Sequence, residues 1–148
     1  MNLPKSFEQY LELGIIKKSF VDKSRAEFLI NETQNSLGGL NERLEKVGIK
    51  DNNANSIIKD CYDLLMELVR AKMLLDGFNA SGAYAHEAEV SYLQKLSFLE
   101  WEVSFLNEIR YFRNSATYYG KILSKEYAEK VVDFFRKLYP KLKNILKK

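Results

Sequence analysis

The sequence predicts an all-α fold, an up-and-down bundle of about five to six helices filling residues 1–148 as one domain. Three observations carry this. Only two prolines occur, Pro4 and Pro140, so the long stretch between them lacks the strongest helix breaker. Apolar residues recur at spacings of three and four, the period of a helix face. Strand-like alternation never extends beyond a few residues, and neither an internal repeat nor a low-complexity segment interrupts the pattern.

The first helix is read from Ser6 to Leu13, with Gly14 ending it and a linker following. Asp22 or Ser19 caps the second helix, whose stripe is Ala26, Ile30, Leu37, Leu40, Leu44 and Val47, with Thr33 filling the gap. Gly38-Gly39 inside that stripe predicts a bend or a close helix crossing, and Gly48 is the expected stop. Asn53 or Asn55 opens the third helix. Its broad apolar face, from Ile57 and Ile58 through Cys61, Leu64, Leu65, Leu68 and Val69 to Met73, marks a central helix with several neighbours. Asp76-Gly77-Phe78-Asn79 and Ser81-Gly82 break the chain.

A fourth, shorter helix runs from near Ala83 to Leu96, with Tyr84, Ala85, Ala88, Tyr92, Leu93 and Leu96 on its apolar side. The fifth starts near Phe98 or Leu99, carries Phe98, Phe105, Ile109, Phe112, Ala116 and Tyr119, and ends at Gly120. Ser124 caps the sixth, which buries Val131, Val132, Phe134, Phe135, Leu138, Leu142 and Ile145. Pro140 should kink it or end its regular part.

Composition narrows the function classes. Hydrophobic residues make up 46% and charged residues 29%, ordinary for a soluble globular chain. No apolar run reaches the roughly 18 residues that span a bilayer, and Met1-Asn2-Leu3-Pro4-Lys5 lacks a signal-peptide core, so the expectation is a cytoplasmic protein with no membrane contact. Cys61 is the only cysteine, which leaves neither a disulfide nor a zinc cluster, and it reads as a core residue. A net charge of +3 is too small to argue for nucleic acid. Lys137, Lys141, Lys143, Lys147 and Lys148 crowd the C-terminus, either as a solvated helix end suited to the dipole or as an anion-binding surface.

The fifth helix holds the most informative pattern. Beside its phenylalanine stripe runs a second one, Leu99, Val103 and Leu106, which continues as Arg110, Arg113, Asn114 and Thr117 with Tyr118 on its flank. An apolar face that runs into two guanidinium groups, an amide, a hydroxyl and a phenol needs a partner or a ligand. Arginine presents a fixed fork of donors that fits phosphate, and tyrosine stacks on bases or donates a hydrogen bond. These residues suit an RNA backbone or a nucleotide. Equally, Arg110 and Arg113 can pair with carboxylates of a neighbouring helix or subunit, with Glu67, Glu87, Glu89 and Glu108 as candidates. His86, the chain's only histidine, reads either as a proton carrier for the Arg113 site or as a helix-start residue bonded to the backbone or to Glu89. Trp101 falls on the side opposite Arg110 and reads as packing. With one histidine beside Glu87 and Glu89, a metal site lacks ligands, and no phosphate loop or other cofactor motif is visible.

Two stretches resemble the HEPN family (higher eukaryotes and prokaryotes nucleotide-binding domains) in its archaeal and bacterial form. Residues 63–77 followed by 81–93 resemble the family's core helix, glycine break and histidine-led helix. Ile109-Arg110-Tyr111-Phe112-Arg113-Asn114, continuing to Tyr118-Tyr119-Gly120, resembles its arginine-asparagine motif, and the similarity covers about residues 20–140. The resemblance implies a four-helix core, a homodimer, and binding of RNA, a nucleotide or a minimal nucleotidyltransferase (MNT) partner in a toxin–antitoxin-like pair. Arg113 and Asn114 match the start of its motif, and with the stripe and the lone histidine the candidate binding residues are Arg110, Arg113, Asn114, Thr117, Tyr118, Tyr119 and His86. Catalytic members place a histidine four to six residues after the arginine, where this chain has Tyr118 or Tyr119. A phenol with a reference pKa near 10 exchanges protons poorly at neutral pH. The expectation is therefore binding without full ribonuclease chemistry. The alternative is an RNA-cleaving enzyme using Arg113 with Tyr118, Tyr119 or His86.

Overall fold

A computed structural model of the chain describes residues 3–119 and 123–147, the side chains of residues 115–119 excepted. It is an all-α helical bundle, 74% helical. The helices are α1 (Phe7–Glu12), α2 (Lys23–Lys46), α3 (Ala54–Asp76), α4 (Ala85–Ser91), α5 (Glu100–Tyr119) and α6 (Lys125–Leu146), and a 3-10 segment (Tyr92–Leu96) follows α4.

Local chemistry sets the ends. Ser6 and Gln9 form a reciprocal capping box that starts α1. Asp22 accepts from the Arg25 N–H at 3.0 Å and caps α2, and Ser124 accepts from Tyr127 N–H to cap α6. Asn53 occupies the cap position of α3, yet its side chain serves the preceding loop, accepting from Lys50 N–H and donating to the Gly48 carbonyl. Asn55 and Asp51 accept from the Leu123 and Lys125 N–H groups, which ties the start of α6 to the α2–α3 turn.

The core forms around α3, which packs against α2, α5 and α6. Ile57, Ile58, Cys61, Leu65, Leu68 and Val69 are fully buried along it, and burial pushes the Cys61 thiol up to about 12. By contrast, α2 buries only Ala26, Thr33 and Leu40, a single seam one heptad apart, so it lies on the outside of the bundle.

Several elements depart from the sequence reading. A two-stranded antiparallel sheet pairs β1 (Ile16–Lys18) with β2 (Phe78–Ala80), in what read as a linker and a break. Three-residue strands carry no usable periodicity. Gly77 makes the pairing possible: its φ is +82°, and a Cβ there would stand 3.0 Å from the Ser19 carbonyl oxygen. Gly38-Gly39 marks no close crossing, because α2 continues through it and added Cβ atoms would meet nothing within 4 Å. Val47 and Tyr84 are exposed, since each flanks a helix end. α6 does not end at Pro140, an exposed residue within its last turns. Leu99, placed on the second stripe of α5, precedes that helix and is exposed. The expected stop at Gly120 lies outside the described residues.

Candidate phosphate-binding cleft

Along α3 the polar residues Asp63, Glu67 and Arg70 recur at spacings of four and three, which puts them on one side of the most apolar helix. α4 starts after the β2 turn and lays His86 and Glu89 against that side. The second stripe of α5, with Val103 and Leu106 fully buried, brings Arg113 and Asn114 to the same place. The result is a cleft of about 250 Å³ lined by α3 residues Tyr62, Asp63, Glu67 and Arg70, together with His86, Arg113 and Asn114.

Ion pairs set its geometry. The Glu89 carboxylate is nearly buried and accepts from Arg70 Nε at 2.8 Å, and it lies 3.3 Å from His86 Nδ1. His86 Nδ1 is also 3.4 Å from an Arg70 nitrogen. Arg113 Nη2 is 3.4 Å from Asp63 Oδ1. Glu67 has one buried carboxylate oxygen with no hydrogen-bond partner among the described residues, and the buried Tyr62 hydroxyl is in the same position. Burial raises the Glu67 carboxyl above its ordinary value, Asp63 and Glu32 add to the rise, and Arg70 opposes it. Burial, then Glu89, pushes the Tyr62 phenol up, while Arg110, Arg70 and Arg113 pull it down. Three cationic groups therefore act on one hydroxyl.

Of the residues singled out in the sequence, Arg113, Asn114 and His86 meet in this cleft. Arg110 does not line it: its Nε donates to Asn107 Oδ1 on the same helix at 2.9 Å, and its charge acts on Tyr10 and Tyr62. None of the glutamates considered as ion-pair partners holds Arg113. Asp63 does, while Glu89 takes Arg70 and Glu108 accepts from Tyr127. The contact between His86 and Glu89 is the one the sequence suggested. The side chains of Thr117, Tyr118 and Tyr119 lie outside the described residues. Trp101 is 55% exposed and sets its ring edge against Phe134. Lys141 is drawn out of the C-terminal lysine cluster to the buried Glu102 carboxylate at 2.7 Å. Sequence reasoning missed Tyr62, Asp63 and Arg70. The signal for Asp63 and Arg70 was the row of charges interrupting the apolar surface of α3, and Tyr62 gave none.

Among the described residues, none of the helices is long and apolar enough to cross a membrane. Compared with family models, curated proteins and solved structures, the chain matches none.

Proposed function

We propose that the chain is a HEPN-type helical bundle that binds a phosphate-bearing ligand, an RNA strand or a nucleotide, in the cleft between α3, α4 and α5. One observation carries the reading: Arg113 and Asn114 of α5 share a cleft with Arg70 of α3. Two planar donor groups lining one cleft suit the oxygens of a phosphodiester. The resemblance supplies the rest of the proposal, a homodimer acting beside a nucleotidyltransferase (MNT) partner in a toxin–antitoxin-like pair in the cytoplasm. Exposed Leu99, Trp101 and Tyr111 offer aromatic and aliphatic surface for an interface.

Fluorescence anisotropy of labelled single-stranded RNA tests the binding. A charge-assisted hydrogen bond contributes about 1.5–3 kcal/mol, so Arg113→Ala should weaken binding about tenfold or more, with thermal unfolding close to wild type. Equal affinity in the variant would refute the reading. Light scattering at micromolar concentration tests the dimer, and a monomer mass would remove it.

A second reading, RNA cleavage with Arg113, is favoured by one fact: His86 lines the same cleft. Imidazole exchanges protons near neutral pH, where a phenol does not. Cleavage by the purified protein, lost in both Arg113→Ala and His86→Gln, would establish it. No cleavage alongside Arg113-dependent binding would leave binding alone.

A further inference from the structure

The turn between β1 and α2 leaves Phe20 95% exposed, with Val21 beside it and Phe28 in the second turn of α2 exposed as well. Backbone bonds hold this turn on both sides. Ser19 N–H donates to the Gly77 carbonyl at 2.8 Å, and Asp22 N–H donates to the Leu74 carbonyl at 3.1 Å. Phe20 and Val21 are thus carried outward on a short turn anchored to the end of α3. An aromatic ring held in water adds nothing to the core, and it gains free energy on meeting an apolar phase.

Cations surround this tip. Lys17 and Lys18 precede it on β1, Lys23 and Arg25 follow it in the first turn of α2, and all four are exposed. None of the four forms an ion pair among the described residues, whereas Lys72, Lys95 and Lys141 each meet a carboxylate. Asp22, the one acid within residues 17–25, is engaged as the cap of α2, and Glu27 follows on the helix. The first turn of α2 contains no acidic residue. Cations at a helix N-terminus oppose its dipole, so Lys23 and Arg25 are not there to stabilise α2.

An apolar tip ringed by cations suits an anionic lipid surface. The rings and methyl groups enter the headgroup region, while the long basic side chains lay their stems along it and reach the lipid charges. A projecting turn has no groove to hold a nucleic-acid strand, and Val21 has no flat face on which a base can stack. Crossing a bilayer takes a long apolar run, but resting on one does not, so the lack of such a run bears on crossing alone.

We propose that the β1–α2 turn is a membrane-docking tip, with Phe20 and Val21 entering the headgroup region of an anionic bilayer and Lys17, Lys18, Lys23 and Arg25 on its acidic lipids. The contact is reversible and salt-sensitive, and it does not involve the cleft at Arg113.

Co-sedimentation of the full chain with vesicles tests it, one set of phosphatidylcholine alone and one with about a third phosphatidylserine. The chain should bind the anionic set about tenfold or more tighter than the neutral set, and lose most of that gain at high salt. Phe20→Ser should weaken binding to the anionic set about tenfold. The pair Lys18→Glu with Lys23→Glu should weaken it about thirtyfold or more. All three side chains are exposed, so both variants should unfold close to the wild-type temperature. Arg113→Ala should bind vesicles as wild type does. Absence of binding to anionic vesicles, equal binding to neutral ones, or binding that survives both tip variants would overturn the proposal. A loss in Arg113→Ala would also overturn it, by putting the headgroups in the cleft. If Phe20→Ser weakens the binding of single-stranded RNA while vesicles are not bound, the tip serves a strand and the proposal falls.

Discussion

Replacing Arg70 by methionine removes the cation that the nearly buried Glu89 carboxylate faces at 2.8 Å. The Glu89 side chain is 7% exposed, so water cannot take over. Breaking a fully buried pair by removing one partner costs about 3–5 kcal/mol. The Arg70 side chain is 33% exposed, which screens that end, and His86 stays within reach of Glu89. The expected loss is therefore about 2–3 kcal/mol. In urea this lowers the midpoint with the slope unchanged, and in a melt it lowers Tm by about 4–12 °C. Glu89→Leu leaves its cation partly in water and should cost less, about 1 kcal/mol. The double variant Arg70→Met with Glu89→Leu should return to within about 1 kcal/mol of wild type, because apolar replacement of both partners is often near neutral. A loss below about 0.5 kcal/mol for Arg70→Met, the range of ordinary surface changes, would refute the view that this pair holds α4 against α3.

Two further outcomes follow from other parts of the fold. Gly77→Ala places a Cβ at positive φ and 3.0 Å from the Ser19 carbonyl, so it should cost about 2 kcal/mol or more and lower Tm by at least about 4 °C; a neutral result would contradict the β1–β2 pairing. The Glu67 carboxyl is held above its ordinary value, so the folded chain binds that proton more tightly than the unfolded chain does. Ionising it then destabilises the fold, a loss absent below the ordinary carboxylate pKa, growing as pH rises and complete above the raised value. Glu67→Gln should accordingly gain stability over wild type as pH rises through the carboxylate range, read from urea midpoints across pH, and a difference that shrinks with rising pH would contradict the assignment.

The helices were legible because each announces itself locally. Ser6, Asp22 and Ser124 cap where hydroxyl or carboxylate side chains precede an apolar period. The width of the apolar face on α3 marks it as the central helix from sequence alone. What stayed hidden depends on contacts distant in sequence. β1 and β2 are about sixty residues apart in the chain, and neither has the length to show alternation. Gly38 and Gly39 mark no close crossing, because a glycine pair signals permission for close approach and nothing comes within 4 Å of an added Cβ there. Half the lining of the candidate cleft was visible: Arg113, Asn114 and His86 stand out as residue types at the end of a stripe or as the only one of their kind. The other half, Tyr62, Asp63 and Arg70, sits on a helix whose apolar pattern dominates, and only the packing of α4 and α5 shows that its polar row faces a cleft. Arg110, one turn of helix from Arg113, does not line the cleft and donates to Asn107.

Because His86 is the only histidine and lines the cleft, its ring signals in a nuclear magnetic resonance spectrum report on that cleft and nothing else. Titrating the protein with single-stranded RNA should shift the His86 ring resonances in wild type, and at the same RNA concentration leave them in place in Arg113→Ala. RNA that binds wild type while the His86 signals stay still would put the ligand elsewhere and contradict the account.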